Sequence, residues 1–275
     1  RANRLLRLGR WLMGPCDDTK RARRYFSEAL MCDPNSREAL LALVALTEGE
    51  PAHQVGYLER LTAIGDAPEQ EYAWRLRMGE IYAQELEEYS SSVRHLRLAL
   101  KSRPNDRHVL ELLAAVHRSD GDSESLLGTL ARLKEISAQD EHSRLYQEMA
   151  QLSESLGRVD EAVALWQRTI KDPQSGGQAS VALERLCREH DRWATLIEVL
   201  SHRMDTVPKE NQSTLLAQIA RVWCDRLGSV DEAQSAWRRV LELEPENEEA
   251  LWALEGLTSG PIRTAVRWDL VGVLS

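Results

Sequence analysis

Cys187-Arg-Glu-His190 places a thiol and an imidazole three residues apart, one helical turn. A nucleophile with its base, or two metal ligands, would use that spacing. No third ligand stands near them in the sequence. Cys187 also continues an apolar stripe with Val181, Leu183 and Leu186, so a buried packing thiol is expected. Asp120-Gly-Asp-Ser-Glu124 gathers carboxylates around a glycine, as calcium loops do. It lacks their alternating ligand order and the bidentate glutamate at the twelfth position, and reads as a turn followed by a helix N-cap. Gly157 and Gly228 fall in interhelical turns, not in phosphate cradles. The 7 His, 4 Cys and 44 Asp and Glu form no HExxH, GxSxG or Gly-rich phosphate loop. No catalytic residue, metal or cofactor is assigned, and the segment reads as non-enzymatic.

The elements that carry these residues are helices. The chain has 275 residues, 43% hydrophobic and 29% charged, enough for a sizeable core. Leu, Ala, Glu and Arg abound, which favours helix. No apolar run approaches the ~18 residues of a membrane span. A net charge of −9 argues against a nucleic-acid binder. The charge is uneven. Residues 1–24 hold eight Arg/Lys against two Asp, whereas residues 205–258 hold eleven Asp/Glu against five Lys/Arg. Cys16, Cys32, Cys187 and Cys224 show no paired spacing and read as free thiols. A cytoplasmic setting is expected, with a periplasmic one kept open because the chain reads as a piece of a longer protein.

Apolar residues recur at helical spacing, and turn signals cut them into hairpins. The clearest runs from Ile219 to Pro245, with Leu227-Gly228-Ser229 as its turn. It aligns without a gap on Met78 to Pro104 at an offset of 141. Eight hairpins are expected, at about 2–34, 36–65, 68–104, 106–138, 140–173, 175–206, 209–245 and 247–274. The first uses Leu5, Leu6, Leu8 and Leu12, and Asp17-Asp18-Thr19 supplies N-caps for its second helix. Pro34, Pro104, Pro173 and Pro245 end helices and recur every 69 to 72 residues, so the unit of duplication is a pair of hairpins. No period-2 run lies between turns, and no strand is predicted.

These residues resemble the tetratricopeptide repeat family. Leu156-Gly-Arg-Val-Asp-Glu-Ala162, Trp166 and Pro173 match its pattern. So do Ala22, Phe26, Ala29 and Pro34, and Ala220, Trp223, Ala233, Trp237 and Pro245. The third hairpin has Leu96 where an aromatic is usual and Ser92 where alanine is. It and the seventh carry one extra residue between the helices. The second, sixth and eighth hairpins depart most. Small residues at Ala22, Ala162 and Ala233 would let two helices approach, and Phe26, Trp166 and Trp237 would fill the gap to the next hairpin. The eight Trp are expected mostly in the core, with Trp11 exposed. The resemblance implies an all-α, right-handed superhelical solenoid whose first helices line a concave groove.

The family's groove positions fall on Arg4, Arg7 and Trp11 in the first hairpin, and on His108, Glu111, Ala115 and Arg118 in the fourth. They fall on Arg144, Gln147, Gln151 and Glu154 in the fifth, and on Thr214, Ala217 and Arg221 in the seventh. The Lys/Asn set that clamps a chaperone's C-terminal carboxylate is missing. The expected function is a scaffold or adaptor that binds a partner protein or peptide. Two other readings stay open: a repeat domain of a larger enzyme or of an envelope or polysaccharide-export assembly, and a peptide-gated sensor. The basic first hairpin could also dock head-to-tail on the acidic last hairpins of another copy.

Overall fold

The computed structural model describes residues 1–14, 16–65, 68–172 and 175–257. Its α-helices are α1 Ala2–Met13, α2 Thr19–Cys32, α3 Arg37–Leu46, α4 Pro51–Ile64, α5 Pro68–Gln84, α6 Tyr89–Ser102, α7 Arg107–Asp120 and α8 Ser123–Ile136. They continue with α9 His142–Ser155, α10 Val159–Thr169, α11 Gly176–Glu189, α12 Trp193–Met204, α13 Lys209–Arg221, α14 Val230–Leu243 and α15 Glu248–Leu257. Among the described residues there is no strand. Consecutive helices pair into antiparallel hairpins. The chain divides into two compact units, residues 1–141 and 142–275. The helix expected after residue 257 and the stop at Pro173 lie outside the described residues.

At the starts of α2, α7, α8 and α15 an Asp or Asn side chain satisfies a free backbone N–H group. Asp18 accepts from Arg21 N at 3.0 Å, and Asp106 from Val109 N at 3.2 Å. Asp122 accepts from Ser125 N at 3.0 Å, and Asn247 from Ala250 N at 3.0 Å. The Asp120–Glu124 stretch is therefore a turn and an N-cap, as expected. Pro51 and Pro68 open α4 and α5, where a missing N–H costs nothing. Helices α2, α6 and α14 end two residues before Pro34, Pro104 and Pro245.

Each of the seven described hairpin turns contains one residue with positive φ: Asp17, Gly49, Glu87, Gly121, Gly157, Asp191 and Gly228. This left-handed residue closes the first helix and redirects the chain. A side chain there costs about 1–2 kcal/mol, so Glu87 (φ 55°) holds a conformation that Gly228 adopts freely at the equivalent position.

The extra residue of the third and seventh hairpins does not sit between the helices. It is absorbed at the end of the first helix as a π turn. Val222–Arg226 is π-helical, and Leu227 N donates to Val222 O at 3.2 Å. In the third hairpin Leu86 N donates to Ile81 O at 3.1 Å, the same five-residue step.

Phe26 and Leu96 sit over small residues of their own hairpin's first helix. A Cβ on Gly9 would lie 2.7 Å from Phe26 Cζ, and one on Gly79 would lie 2.5 Å from Leu96 Cδ2. Ala22, Ala162 and Ala233 are buried at the helix–helix contacts. Of the seven described tryptophans only Trp166 and Trp237 are buried. Trp11 is 56% exposed and Trp252 is 58% exposed, on the first and last described helices, α1 and α15. Leu8 and Val181, expected on apolar core stripes, are 45% and 65% exposed. Within each unit the core is built between helices adjacent in the chain.

Candidate functional site

The first helices of successive hairpins, α1, α3, α5 and α7 in one unit and α9, α11, α13 and α15 in the other, carry most of the candidate binding residues. They are joined by side chains one repeat apart. In the first unit Arg10 pairs with Glu38 at 2.8 Å and Arg37 bonds Gln70, while Arg107 of α7 grips Glu141, in the short 3-10 turn Gln139–Glu141, through two bonds of 3.0 and 2.9 Å. In the second unit Gln147 donates to Gln178 at 2.6 Å, Arg185 pairs with Glu154, and Arg188 donates to Gln218 at 3.2 Å. Arg221 then holds Glu249 through bonds of 2.6 and 2.5 Å. These pairs are half-exposed and worth at most about 1 kcal/mol each, so they set register more than stability.

This ladder decides what the sequence candidates can do. Arg4 and Arg7 are exposed on α1 beside Leu8 and Trp11 and have no ion-pair partner among the described residues. His108 lies 3.6 Å from Glu80, and Glu111 takes Arg107 at 2.7 Å. Ala115, Arg118, Arg144 and Gln151 are exposed. Gln147, Glu154 and Arg221 are members of the ladder. Glu154 also accepts from Trp166 Nε1 at 2.6 Å. Thr214 is exposed, but Ala217 is buried and presents nothing to a ligand. At the acidic end Glu249 is offset by Arg221, whereas Glu244 accepts from Ser213 and keeps its charge. Arg226 and Trp193, which the sequence reading did not offer as binding residues, lie together, the guanidinium 4.8 Å from the ring centroid.

Burial is the largest cause of the shifts at Cys187, His117 and His95. Cys187 is fully buried, and desolvation pushes its thiol up, away from the reactive thiolate. His190 stands exposed in the turn. His117 is buried with its pKa lowered, mainly by burial, and its Nδ1 lies 3.8 Å from Asp122, too far for a hydrogen bond. Among the described residues no three His, Cys, Asp or Glu side chains group as a metal site, and no helix is long and apolar enough to cross a membrane.

His95 carries the largest consequence for pH. It is 1% exposed, stacks on Tyr82 at 5.4 Å, and has Arg75 at 3.4 Å and Arg94 at 3.2 Å on its two nitrogens. Burial first, then Arg94 and Arg75, lowers its pKa to about 4. The unfolded imidazole gains its proton near pH 6.5, whereas the folded one stays neutral down to about 4. The resulting stability is full above pH 6.5 and is lost as pH falls towards 4, by up to about 2–3 kcal/mol. Urea titrations at pH 7 and pH 4.5 should show a smaller pH difference in His95→Gln than in the parent. Equal differences would remove His95 as the cause.

No protein-family model matches the chain. Superkiller complex protein 3 of Mus musculus is 29% identical over 168 residues, which cover 60% of this chain and 10% of that protein. The chain thus spans about a tenth of the length of the curated relative it matches. The fold is a tetratricopeptide-like helical repeat. Among solved structures, that of Naa15/Naa10 bound to HypK-THB is 15% identical with a TM-score of 0.50, covering 94% of this chain and 39% of that one. YrrB, a TPR protein with an unusual peptide-binding site, is 14% identical with a TM-score of 0.43, covering 66% of this chain and 91% of that one. A tetratricopeptide repeat protein from Parabacteroides merdae is 11% identical with a TM-score of 0.39, covering 100% and 99% of the two chains. At these identities the likeness concerns the fold alone.

Proposed function

We propose that this chain is a non-catalytic scaffold that binds a partner protein or peptide along the exposed faces of its first helices. One observation carries the reading. In each unit first helices are tied in register by side chains one repeat apart, and they present exposed polar and apolar groups between the ties. Such a surface is ordered before a partner arrives, which lowers the entropy cost of binding. The matched mouse protein is named as a protein of a complex, which agrees with an assembly role. The tethered state of Arg221 makes its charge reversal a poor test, because it would also break the pair with Glu249. Photo-crosslinking is cleaner. A crosslinking residue at Arg7 or Gln151, on first helices, should capture partner; one at Lys101 or Gln167, exposed on second helices, should not. Equal capture from both sets would refute the placement.

A further inference from the structure

The second unit contains a hollow of about 330 Å³ where α11 and α13 end against the start of α12. Its floor is apolar, formed by Leu196, Val222 and the Trp193 ring. Its rim carries Arg188, Arg221 and Arg226, with Asp225 as the carboxylate in the wall. The three arginines are not equivalent. Arg221 is held by Glu249, and Arg188 reaches Glu184 at 3.5 Å, which Arg203 shares. Arg226 lies over the Trp193 ring at 4.8 Å and has no ion-pair partner among the described residues. Stacking fixes the guanidinium plane and leaves its in-plane N–H donors unspent.

The third hairpin provides an internal control. It absorbs the same extra residue by the same five-residue step, yet Glu85 stands where the seventh hairpin has Arg226, and Pro51 opens α4 where Trp193 opens α12. Glu85 is paired there with Arg77 at 3.6 Å. The π turn therefore needs neither residue; Trp193 packs one side against the unit's core, whereas Arg226 is exposed and has no such packing role.

We infer that this hollow seats an acidic side chain of a partner polypeptide, with the carboxylate on Arg226 and an adjacent apolar residue on the floor. The guanidinium edge matches a carboxylate in two parallel bonds, and the floor removes apolar surface from water. Arg188 and Arg221 add positive potential at the rim. The inference rests on the scaffold reading and names one anchor of its partner.

The test titrates the intact chain with the blocked peptide Ala-Leu-Glu-Leu-Ala and follows the indole N–H resonance of Trp193, assigned through Trp193→Phe. The peptide should shift that resonance. Replacing its Glu by Gln, or the protein's Arg226 by Gln, should weaken binding about tenfold. Arg238→Gln, on the exposed face of α14, should bind as the parent does. Equal affinity for the Glu and Gln peptides, undiminished binding by Arg226→Gln, or a Trp193 resonance that never moves would each overturn the anchor. A phosphoserine peptide that binds where the Glu peptide does not would overturn the carboxylate assignment. First-helix crosslinks that persist alongside any of these results would leave the scaffold standing and remove only the anchor.

Discussion

Trp166→Ala is expected to lower stability by about 3–5 kcal/mol, the range for removing a buried indole from a packed core. The ring is 2% exposed, and it lies on α10, close to Ala162 and Leu165 of the same buried face. Its Nε1 donates to Glu154, which is also the partner of Arg185 on the next first helix. Truncation therefore opens a cavity and loosens one rung of the ladder. Trp166→Phe keeps most of the volume but withdraws the donor, and should cost less, about 1–2 kcal/mol. Urea unfolding followed by far-ultraviolet circular dichroism separates the two variants. A loss below about 1 kcal/mol for the alanine variant would mean the site collapses without penalty, and the ring would no longer count as a packing key.

Gly79→Val should be as damaging, for the opposite reason. The added Cβ would stand 2.5 Å from Leu96 Cδ2 and 2.6 Å from its Cγ. The Cγ is not the free end of a flexible chain, and Leu96 is fully buried. The helices must separate, and the bond from Ser92 Oγ to the Gly79 carbonyl, 2.7 Å, spans that same contact. A loss of about 3 kcal/mol or more is expected, since overpacking by one methylene already costs about 1–3. Gly79→Ala sets about 1 kcal/mol of better helix propensity against the clash, and should still be less stable than the parent. Combining Gly79→Ala with Leu96→Ala should cost less than the two single losses added together, because each removes the other's conflict. Additive losses, or a fully stable Gly79→Ala, would show that the close approach does not constrain the hairpin.

Much of this architecture was legible before any coordinates. Helical spacing marked the elements, prolines marked their ends, and Asp18 and Asp122 marked two of their starts. Those signals are local, and local geometry decides them. What stayed hidden depends on register between repeats. Arg221 looked like a free groove residue because Glu249, 28 positions on, announces nothing as its partner. Tryptophan identity did not reveal burial: Trp166 fills a core, whereas Trp193 floors an open hollow and supports Arg226. The extra residue of the seventh hairpin was visible, but a residue count cannot tell a longer loop from a π turn. The site was less legible than the fold because exposed side chains are not bound to any packing period.

The nearest-neighbour packing has a kinetic consequence. Among the described helices nearly every substantial contact joins elements adjacent in the chain. Sequence separation between touching residues is therefore small, and little chain must be closed before a contact forms. Chains of this kind sit at the rapid end of the folding-rate spectrum, and any well-made hairpin can serve as the nucleus from which order spreads. The hairpin of Phe26 over Gly9 and that of Leu96 over Gly79 have the tightest internal seats. They are the natural starting points, and the hairpin between them would be templated from both sides.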